Sequence, residues 1–432
     1  MKIIMIAFSI YFIYSTLKNV EKAFWLALFI IMAIPFSRYN KLIEYIEVIP
    51  IGGFSINIIH VLLISLLLSV VFCKDGVRII KSINMRLVIL LLFTYICAIV
   101  IGLINGYDAM GDAQKYILQI IWLIVLIYYS KKFITINKLL EVTSKALSIN
   151  FMLIILMNIF KSKLIFMLAG EYFESGNGLI DSYASYLAIF PIAFCIYDFI
   201  CRRNIRKNLS IYICSVISII YILMFQSSRS IILVLVIIAV LISFVSLRNS
   251  NRNSFISKLT IISVISFFGI LIGIIYMQSD NEIVERLMNM NIFSTEDTLL
   301  TRIKTIEYYY GEIKNNIFGY GFGKLIPLIN QYGRFHGEGG FYTDNALINV
   351  SMKCGIFSLG IYILLLLKPI RNQFLYYKNF RNNFALVQII AYVGFLFLSV
   401  ILTSQINHNY VIMIGGWAFA MAILDNNIAT KS

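Results

Sequence analysis

Long apolar runs recur along the whole chain, and they limit how it can fold more than any other feature. Runs long enough to cross a bilayer fall at about 56–73, 85–104, 112–130, 138–160, 180–200, 209–226, 229–247, 257–277, 345–368, 385–404 and 408–424. Two shorter runs, 3–17 and 23–37, precede them. Backbone amides in lipid must be hydrogen-bonded within their own segment, so these runs are expected to be helices. The sequence therefore predicts an all-α polytopic membrane protein with about 12–14 transmembrane helices, built as a single integral membrane domain over residues 1–432.

Composition excludes several other classes of protein. The chain is 60% hydrophobic and only 13% charged, about half the charged fraction of a soluble domain. Its six cysteines lie in or beside apolar runs without the spacing of a metal site, and it has only three histidines. We therefore expect neither a disulfide scaffold nor a bound metal. The net charge of +15 is not arranged as a basic stripe interleaved with aromatic residues, so nucleic acid is not an expected partner.

The basic residues are distributed unequally between the two sides of the predicted membrane domain. The short loops on one side hold twenty Lys and Arg residues, and the short loops on the other side hold five. Cytoplasmic loops carry the excess of Lys and Arg, so the richer side is expected to be cytoplasmic, together with the C-terminus.

One loop differs from the others in length and charge. Residues 278–344 contain nine acidic and six basic residues, and alternation of the helices puts them on the outer face. A helical pattern runs through Leu299, Ile303, Ile306, Tyr310, Ile313 and Ile317, and Asp297 or Thr298 can cap this helix. Segment 282–290 is a second helix candidate. Such a partly helical loop beside a membrane is expected to lie on the outer surface with its apolar face toward the lipid.

Charged residues inside or beside apolar runs need an explanation, because they are costly in a bilayer. Lys115 and Lys353 lie one to two turns into their runs, where long side chains can extend to the headgroups. Arg229 lies between two apolar runs with almost no loop, which favours a functional role. Glu141 and Lys145 have the spacing of an ion pair on one helix face, which favours a structural role.

Two glycine-rich segments of the large loop invite different interpretations. The segment Gly319-Tyr-Gly-Phe-Gly-Lys324 lacks the Ser or Thr of a phosphate-binding loop and follows a helix, so it is expected to end that helix in a tight turn. Residues 333–345 bring charged side chains close together beside flexible glycines, before Asn345 starts the next helix. These side chains are Arg334, His336, Glu338 and Asp344. Either they form an anion-binding or sugar-binding site at a helix N-terminus, or they are solvated charges of an ordinary loop.

Several motifs in order resemble the superfamily of O-antigen polymerases (Wzy) and O-antigen ligases. They are Ser228-Arg229-Ser230, Thr301-Arg302 followed by Asn316-Ile-Phe-Gly-Tyr-Gly-Phe-Gly323, Asp344-Asn345-Ala-Leu-Ile-Asn, and Gly355-Ile-Phe-Ser-Leu-Gly360. The resemblance covers about residues 180–410 and includes the place of the large loop before the C-terminal helices. Ligases of this superfamily carry a histidine where this chain has Asp344, which favours the polymerase.

The resemblance implies a membrane glycosyltransferase at the outer face of the bacterial inner (cytoplasmic) membrane. Its donor is an oligosaccharide linked to undecaprenyl diphosphate, and the growing glycan passes to the next lipid-linked repeat unit of an O-antigen or capsule. No metal and no other cofactor takes part. The expected partners are the lipid-linked oligosaccharide, the lipid bilayer, a chain-length regulator and a flippase.

The residue types suggest roles within that chemistry. A departing diphosphate needs fixed positive charge, which arginine supplies through two parallel contacts. Arg229, Arg302 and Arg334 are therefore the candidate ligands of the diphosphate. A sugar hydroxyl needs a base, and Asp344, His336 and Glu338 are the candidates.

Two other functions stay open at this point. The first is an O-antigen ligase of the same superfamily, which passes the glycan to lipid A core. The second is a flippase for lipid-linked oligosaccharides, against which the long outer loop and the lack of symmetry between the two halves of the chain both count.

Overall fold

The fold is built from long apolar helices, as the spacing of the apolar runs predicts. A computed structural model describes residues 2–34, 47–51, 54–72, 83–160, 182–201, 209–225, 229–247, 298–329, 335–340, 343, 345–403, 406 and 409–425. The first half of the chain forms α1 (Lys2–Lys18), α2 (Val20–Ala33), α3 (Ile58–Val71), α4 (Ile83–Ile104), α5 (Ala109–Ser130), α6 (Ile136–Phe160) and α7 (Ile189–Cys201), the last preceded by a 3₁₀ turn at Tyr183–Ala188. The second half forms α8 (Leu209–Phe225), α9 (Arg229–Leu247), α10 (Thr298–Asn315), α11 (Ala346–Phe380), α12 (Asn383–Leu396) with a π-helical extension (Phe397–Leu402), and α13 (Tyr410–Asp425).

These helices confirm an all-α polytopic membrane protein. Within the described residues, five helices are long and apolar enough to cross a membrane, and five shorter apolar helices accompany them. Every predicted run except 257–277, which lies outside the described residues, corresponds to a helix. Segment 282–290 also lies outside them.

Two short hairpins, which the sequence does not predict, accompany the helices. Strand β1 (Glu47–Ile51) pairs antiparallel with β2 (Phe54–Asn57) just before α3. Strand β3 (Ile326–Ile329) pairs antiparallel with β4 (Phe335–Gly340), with Leu328 opposite His336. The second hairpin fills part of the predicted outer loop, between α10 and α11.

Small residues let the helices of the bundle approach one another closely. A Cβ atom at Gly416 of α13 would lie 2.3 Å from the Phe395 ring of α12, and one at Gly394 would lie 2.4 Å from Ile238 of α9. The Phe190 and Phe419 rings of α7 and α13 stack with centroids 3.7 Å apart. In lipid, where burial of apolar area does not drive helices together, such tight packing is the main attraction between them.

Other helix faces are apolar and uncovered. On α4 the exposed residues include Ile89, Phe93 and Val100, and α8 and α9 carry comparable rows. Exposed apolar area of this extent is rare on soluble proteins. It suits the surface that a membrane protein turns to the lipid tails.

One end of the bundle holds the candidate site, and we call it the loop end. It comprises the end of α4, the start of α5, the segment 316–325 and the start of α11. Asn105 Nδ2 donates to the Tyr320 carbonyl over 3.3 Å, which ties these parts together. At the opposite end of α5 and α11 lie exposed basic residues, namely Lys131, Lys132, Lys138, Lys378 and Arg381.

Candidate active site at the loop end

Helix α10 is docked on the bundle by one buried tyrosine. Tyr309 packs with Ile326, Ile348 and Met352, and its hydroxyl donates to the Pro327 carbonyl. Burial raises the pKa of Tyr309 above its ordinary value. Of the predicted apolar stripe, Ile313 packs beside this cluster. Ile306 and Tyr310 are 49% and 73% exposed, so the stripe continues onto an uncovered surface.

The chain after α10 makes a glycine-rich turn, as the sequence predicts. Gly319, Gly321 and Gly323 all have φ between 82° and 88°, a region that glycine adopts without steric cost. A Cβ atom at Gly321 would lie 2.3 Å from the Gly102 nitrogen of α4, so only glycine fits against that backbone. We call residues 317–323 the re-entrant turn, because they enter the bundle between α4 and α11.

Phe322 anchors the tip of the re-entrant turn. Its amide donates to the Ala98 carbonyl of α4 over 3.0 Å. Its ring is fully buried and lies 4.8 Å from the Tyr116 ring and 5.9 Å from the Tyr95 ring, centroid to centroid. The turn therefore reaches about two helical turns into α4 from the end of that helix at Ile104.

Helix α11 is broken where the re-entrant turn meets it. Gly355 has φ 84° and ψ 172°, which is not helical. The Met352 and Lys353 carbonyls accept from the Tyr320 and Gly321 amides over 2.7 and 3.0 Å, and the Ile356 amide donates to the Ile317 carbonyl over 2.9 Å. The two irregular segments thus hydrogen-bond each other's backbone amides and carbonyls. Non-helical backbone is tolerated at membrane depth only when such partners are present.

A buried ion pair lies directly behind the turn. Lys353 Nζ of α11 contacts Asp112 Oδ2 of α5, and neither side chain is exposed to solvent. The Gly323 amide donates to the same Oδ2 atom over 2.8 Å. Asp112 lies in the first turn of α5, where the helix dipole favours a negative charge. One carboxylate oxygen therefore joins α5, α11 and the re-entrant turn.

A second set of polar contacts joins α5 to the starts of two further helices, α3 and α13. The His60 ring of α3 lies 3.3 Å from Gln114 Nε2 of α5 and 3.5 Å from Tyr410 Oη of α13, measured from His60 Nε2. Lys115 is close enough to Asp112 to interact with its charge. The start of α5 is thus the point at which the polar groups of the loop end converge.

The start of α11 is also fixed by side-chain hydrogen bonds. Asn345 Oδ1 accepts from the Leu347 and Ile348 amides over 2.9 and 3.2 Å, which confirms it as the residue that starts this helix. Asn349 Oδ1 accepts from the Thr343 amide over 2.7 Å, and Asn349 Nδ2 donates to the Thr343 carbonyl over 3.0 Å. The two residues that flank position 344 are therefore held in place.

The four predicted site residues that the structure describes fall on three elements. Arg229 is the first residue of α9, and Arg302 lies near the start of α10. His336 and Glu338 lie in β4. Arg334 and Asp344, and the side-chain positions of the other four, lie outside what the structure describes, so the roles given to the six residues stay predictions. Within the described part of the chain, no group of three or more His, Cys, Asp or Glu side chains is placed to hold a metal ion.

Sequence reasoning missed the Asp112–Lys353 pair. The expectation that Lys353 extends to the headgroups is wrong, because its side chain is buried against Asp112. No periodicity connects Lys353 to a residue 241 positions away. The sequence does hold one indication of the pair. A buried lysine needs a carboxylate, and Asp112 is one of the few acidic residues near the start of an apolar run, as Lys353 is among the lysines.

The comparison with known families adds an independent observation. Residues 213–363 match the family model described as O-antigen ligase. The match begins within α8 and ends within α11, so it contains all six predicted site residues and Lys353. It supports the O-antigen ligase and polymerase superfamily, whose members are membrane enzymes of the glycosyltransferase kind that act on lipid-linked oligosaccharides. It does not separate the ligase from the polymerase. No curated protein matches the chain.

Proposed function

We propose that this protein is an oligosaccharide repeat-unit polymerase of the bacterial cytoplasmic membrane. It transfers a growing glycan from polyprenyl diphosphate to the next lipid-linked repeat unit. The observation that carries the proposal is the family match over 213–363, a range that contains the three candidate arginines and Asp344. A chain-length regulator and a flippase are its proposed partners.

The proposed reaction exchanges one bond at an anomeric carbon. A hydroxyl oxygen of the acceptor repeat unit attacks C1 of the sugar that joins the donor glycan to the carrier. The bond between C1 and the diphosphate oxygen breaks, and polyprenyl diphosphate leaves with that electron pair. The hydroxyl proton passes to a protein base.

Arginines suit the departing diphosphate, because their charge is permanent and their planar donors match phosphate oxygens. Arg229, Arg302 and Arg334 fill this role in the proposal. Arg229 begins α9, and a helix N-terminus adds partial positive charge for an anion. Arg302 belongs to α10, which Tyr309 docks on α11.

Asp344 is the preferred base, with His336 and Glu338 as alternatives. The hydrogen bonds of Thr343 and Asn345 support this choice, because a base must keep its position relative to the attacking hydroxyl. A histidine at this position is the ligase pattern, so the aspartate also favours the polymerase.

The distribution of charge supports an outward-facing site. Exposed basic residues gather at the end of the bundle opposite to the loop end, and such residues are retained in the cytoplasm. In the proposal the loop end therefore faces the outer side of the membrane, where lipid-linked repeat units are displayed, and the C-terminus is cytoplasmic.

The test is complementation of a strain that lacks the gene, with polymer length read on a gel. Arg229→Ala and Arg302→Ala should each lower polymer formation about 100-fold or more, because each removes fixed charge from the departing group. Single repeat units should still reach the surface. Arg86→Ala, an exposed arginine of α4, is the matched control and should behave as wild type. Polymer of normal length in both site variants would contradict the arginine assignment.

The ligase is the second candidate, because the matching family model is described by that activity. The same deletion strain separates the two. Loss of long polymer with single repeats remaining supports a polymerase, whereas accumulation of long polymer on the lipid carrier supports a ligase. Failure of any repeat unit to reach the outer surface would instead indicate a flippase.

A further inference from the structure

The re-entrant turn is held by four consecutive backbone amides. Tyr320, Gly321, Phe322 and Gly323 donate to Met352 O, Lys353 O, Ala98 O and Asp112 Oδ2, at 2.7, 3.0, 3.0 and 2.8 Å. Three of the acceptors are backbone carbonyls. Asp112 is the one side chain among these four acceptors, so a substitution can remove its oxygen without changing the backbone.

The buried pair is expensive to maintain as a source of stability alone. Removing two charges from water costs free energy that their attraction barely offsets, and apolar residues of similar volume often stabilise a protein as well or better. Asp112 and Lys353 nevertheless meet with no solvent exposure. A role in fixing geometry explains the pair better than a role in stability.

The position of the pair along the chain shows what it can fix. The re-entrant turn begins two residues after α10, the helix that contains Arg302. Lys353 lies eight residues after Asn345, about 12 Å along α11. A shift of the pair would therefore move Arg302, a candidate ligand of the diphosphate, relative to the start of α11.

We propose that Asp112 and Lys353 are positioning residues, which lock the re-entrant turn and the broken helix α11 onto α5 and so set the spacing between α10, which carries Arg302, and the start of α11. This inference rests on the proposed function. Asp112 acts through its Oδ2 atom, which accepts from the Gly323 amide, and Lys353 holds that carboxylate in place. Neither residue touches the reacting atoms.

The critical variant replaces both charges by apolar side chains, Asp112→Leu with Lys353→Met. Leucine keeps the branching of the Asp112 side chain and methionine nearly the length of Lys353, but the acceptor of the Gly323 amide is removed. Hydrogen–deuterium exchange of the peptide that covers 319–325 should become about tenfold faster, because one hydrogen bond of the turn is lost. The turnover number for polymerisation should fall at least about tenfold, since misplaced catalytic groups lower the rate of the chemical step. The KM for the lipid-linked donor and the unfolding midpoint in detergent should stay near wild type.

Two further variants separate positioning from stability. Asp112→Asn with Lys353→Met is neutral but keeps an oxygen for the Gly323 amide, so exchange and turnover should return most of the way to wild type. Glu141→Leu with Lys145→Met makes the same changes of charge at the exposed ion pair of α6 and should change neither readout.

Each outcome of this experiment decides something. Wild-type exchange and wild-type turnover in the Leu–Met variant would overturn the proposal, as would faster exchange with unchanged turnover. Equal loss in the Asn–Met and Leu–Met variants would overturn the assignment to the Asp112 oxygen. Absence of polymerisation by the wild-type chain would contradict the proposed function instead, while the exchange measurement still tests whether the pair locks the turn.

Discussion

The two ion pairs Asp112–Lys353 and Glu141–Lys145 join the same kinds of charge in opposite surroundings. Lys145 Nζ lies 2.7 Å from Glu141 Oε1, four residues away on α6, and the two side chains are 54% and 41% exposed. Asp112 and Lys353 lie 241 residues apart in the chain, on α5 and α11, and both side chains are fully buried. The first pair lies on the surface of a single helix, whereas the second joins α5, α11 and the re-entrant turn.

The difference shows what decides the loss of stability when an ion pair is broken. It depends on whether the pair is buried and on how many segments it joins, rather than on the distance between the two charges. An exposed pair is screened by water, and both partners lose little when they separate. A buried pair leaves an uncompensated charge when one partner is removed. The following substitutions test this comparison, from the largest expected effect to the smallest.

Lys353→Met should be the most damaging of them. It leaves the Asp112 carboxylate buried without its lysine, so the free energy of unfolding should fall by about 3–5 kcal/mol. Denaturant titration of the purified protein in detergent measures this change. A loss no larger than that of Lys145→Met would show that burial does not distinguish the two pairs.

Gly321→Ala should release the re-entrant turn without altering any charge. The residue has φ 88°, and its new Cβ atom would lie 2.3 Å from the backbone of Gly102, so we expect a loss of about 2–4 kcal/mol. Gly106→Ala is the matched control, because Gly106 has φ 73° but no neighbour within 4 Å of its Cβ position. Equal losses in the two variants, measured by the same titration, would argue against the close packing of the turn on α4.

Tyr320→Phe should have a smaller and pH-dependent effect. The hydrogen bond that the phenol donates to Glu312 over 2.7 Å raises the pKa of Tyr320 to about 12, from 10.0. The neutral phenol is the form that the fold favours, so its contribution, about 1 kcal/mol or less, is complete below pH 10 and is lost as the pH rises toward 12. Thermal unfolding of wild type and variant at about pH 8, 10 and 12 spans the ordinary and the raised pKa. The difference in stability between the two proteins should shrink as the pH rises. A difference that does not change with pH would contradict the assignment.

Lys145→Met should have the smallest effect. It removes the exposed partner of Glu141, which Lys138 also approaches within 3.4 Å, so we expect a change of about 0.5 kcal/mol or less. The same denaturant titration checks it. A loss above about 2 kcal/mol would place this pair in the class of buried pairs.

The parts of the fold that the sequence predicts are those set by local periodicity. The apolar runs mark the helices of the bundle, and the stripe in the large loop marks α10, because both patterns follow from helix geometry. The Glu141–Lys145 pair is predictable for the same reason. The glycines after α10 indicate a tight turn, since three of them two residues apart suit backbone of positive φ.

The parts that the sequence does not predict depend on contacts between distant segments. Nothing near Gly355 indicates that α11 breaks there, because the break is stabilised by carbonyls and amides of the re-entrant turn. Tyr309 rather than Tyr310 docks α10, since the position of the second hairpin and α11 decides which face is buried. The candidate arginines and bases were chosen by their place in the sequence, their residue type and the resemblance, and their roles stay predictions.

The hydrogen bonds between the re-entrant turn and the break in α11 also constrain the order in which the protein folds into the membrane. The turn is synthesised before Met352 and Lys353, whose carbonyls receive two of its amides. Until α11 has entered the membrane, these two amides lack their acceptors at membrane depth. The turn is therefore expected to stay in water until then. α4 and α5 are then already in place, with the Ala98 carbonyl and Asp112 ready to receive it. Docking of this short segment is therefore a late step of biogenesis, because it follows the insertion of α11.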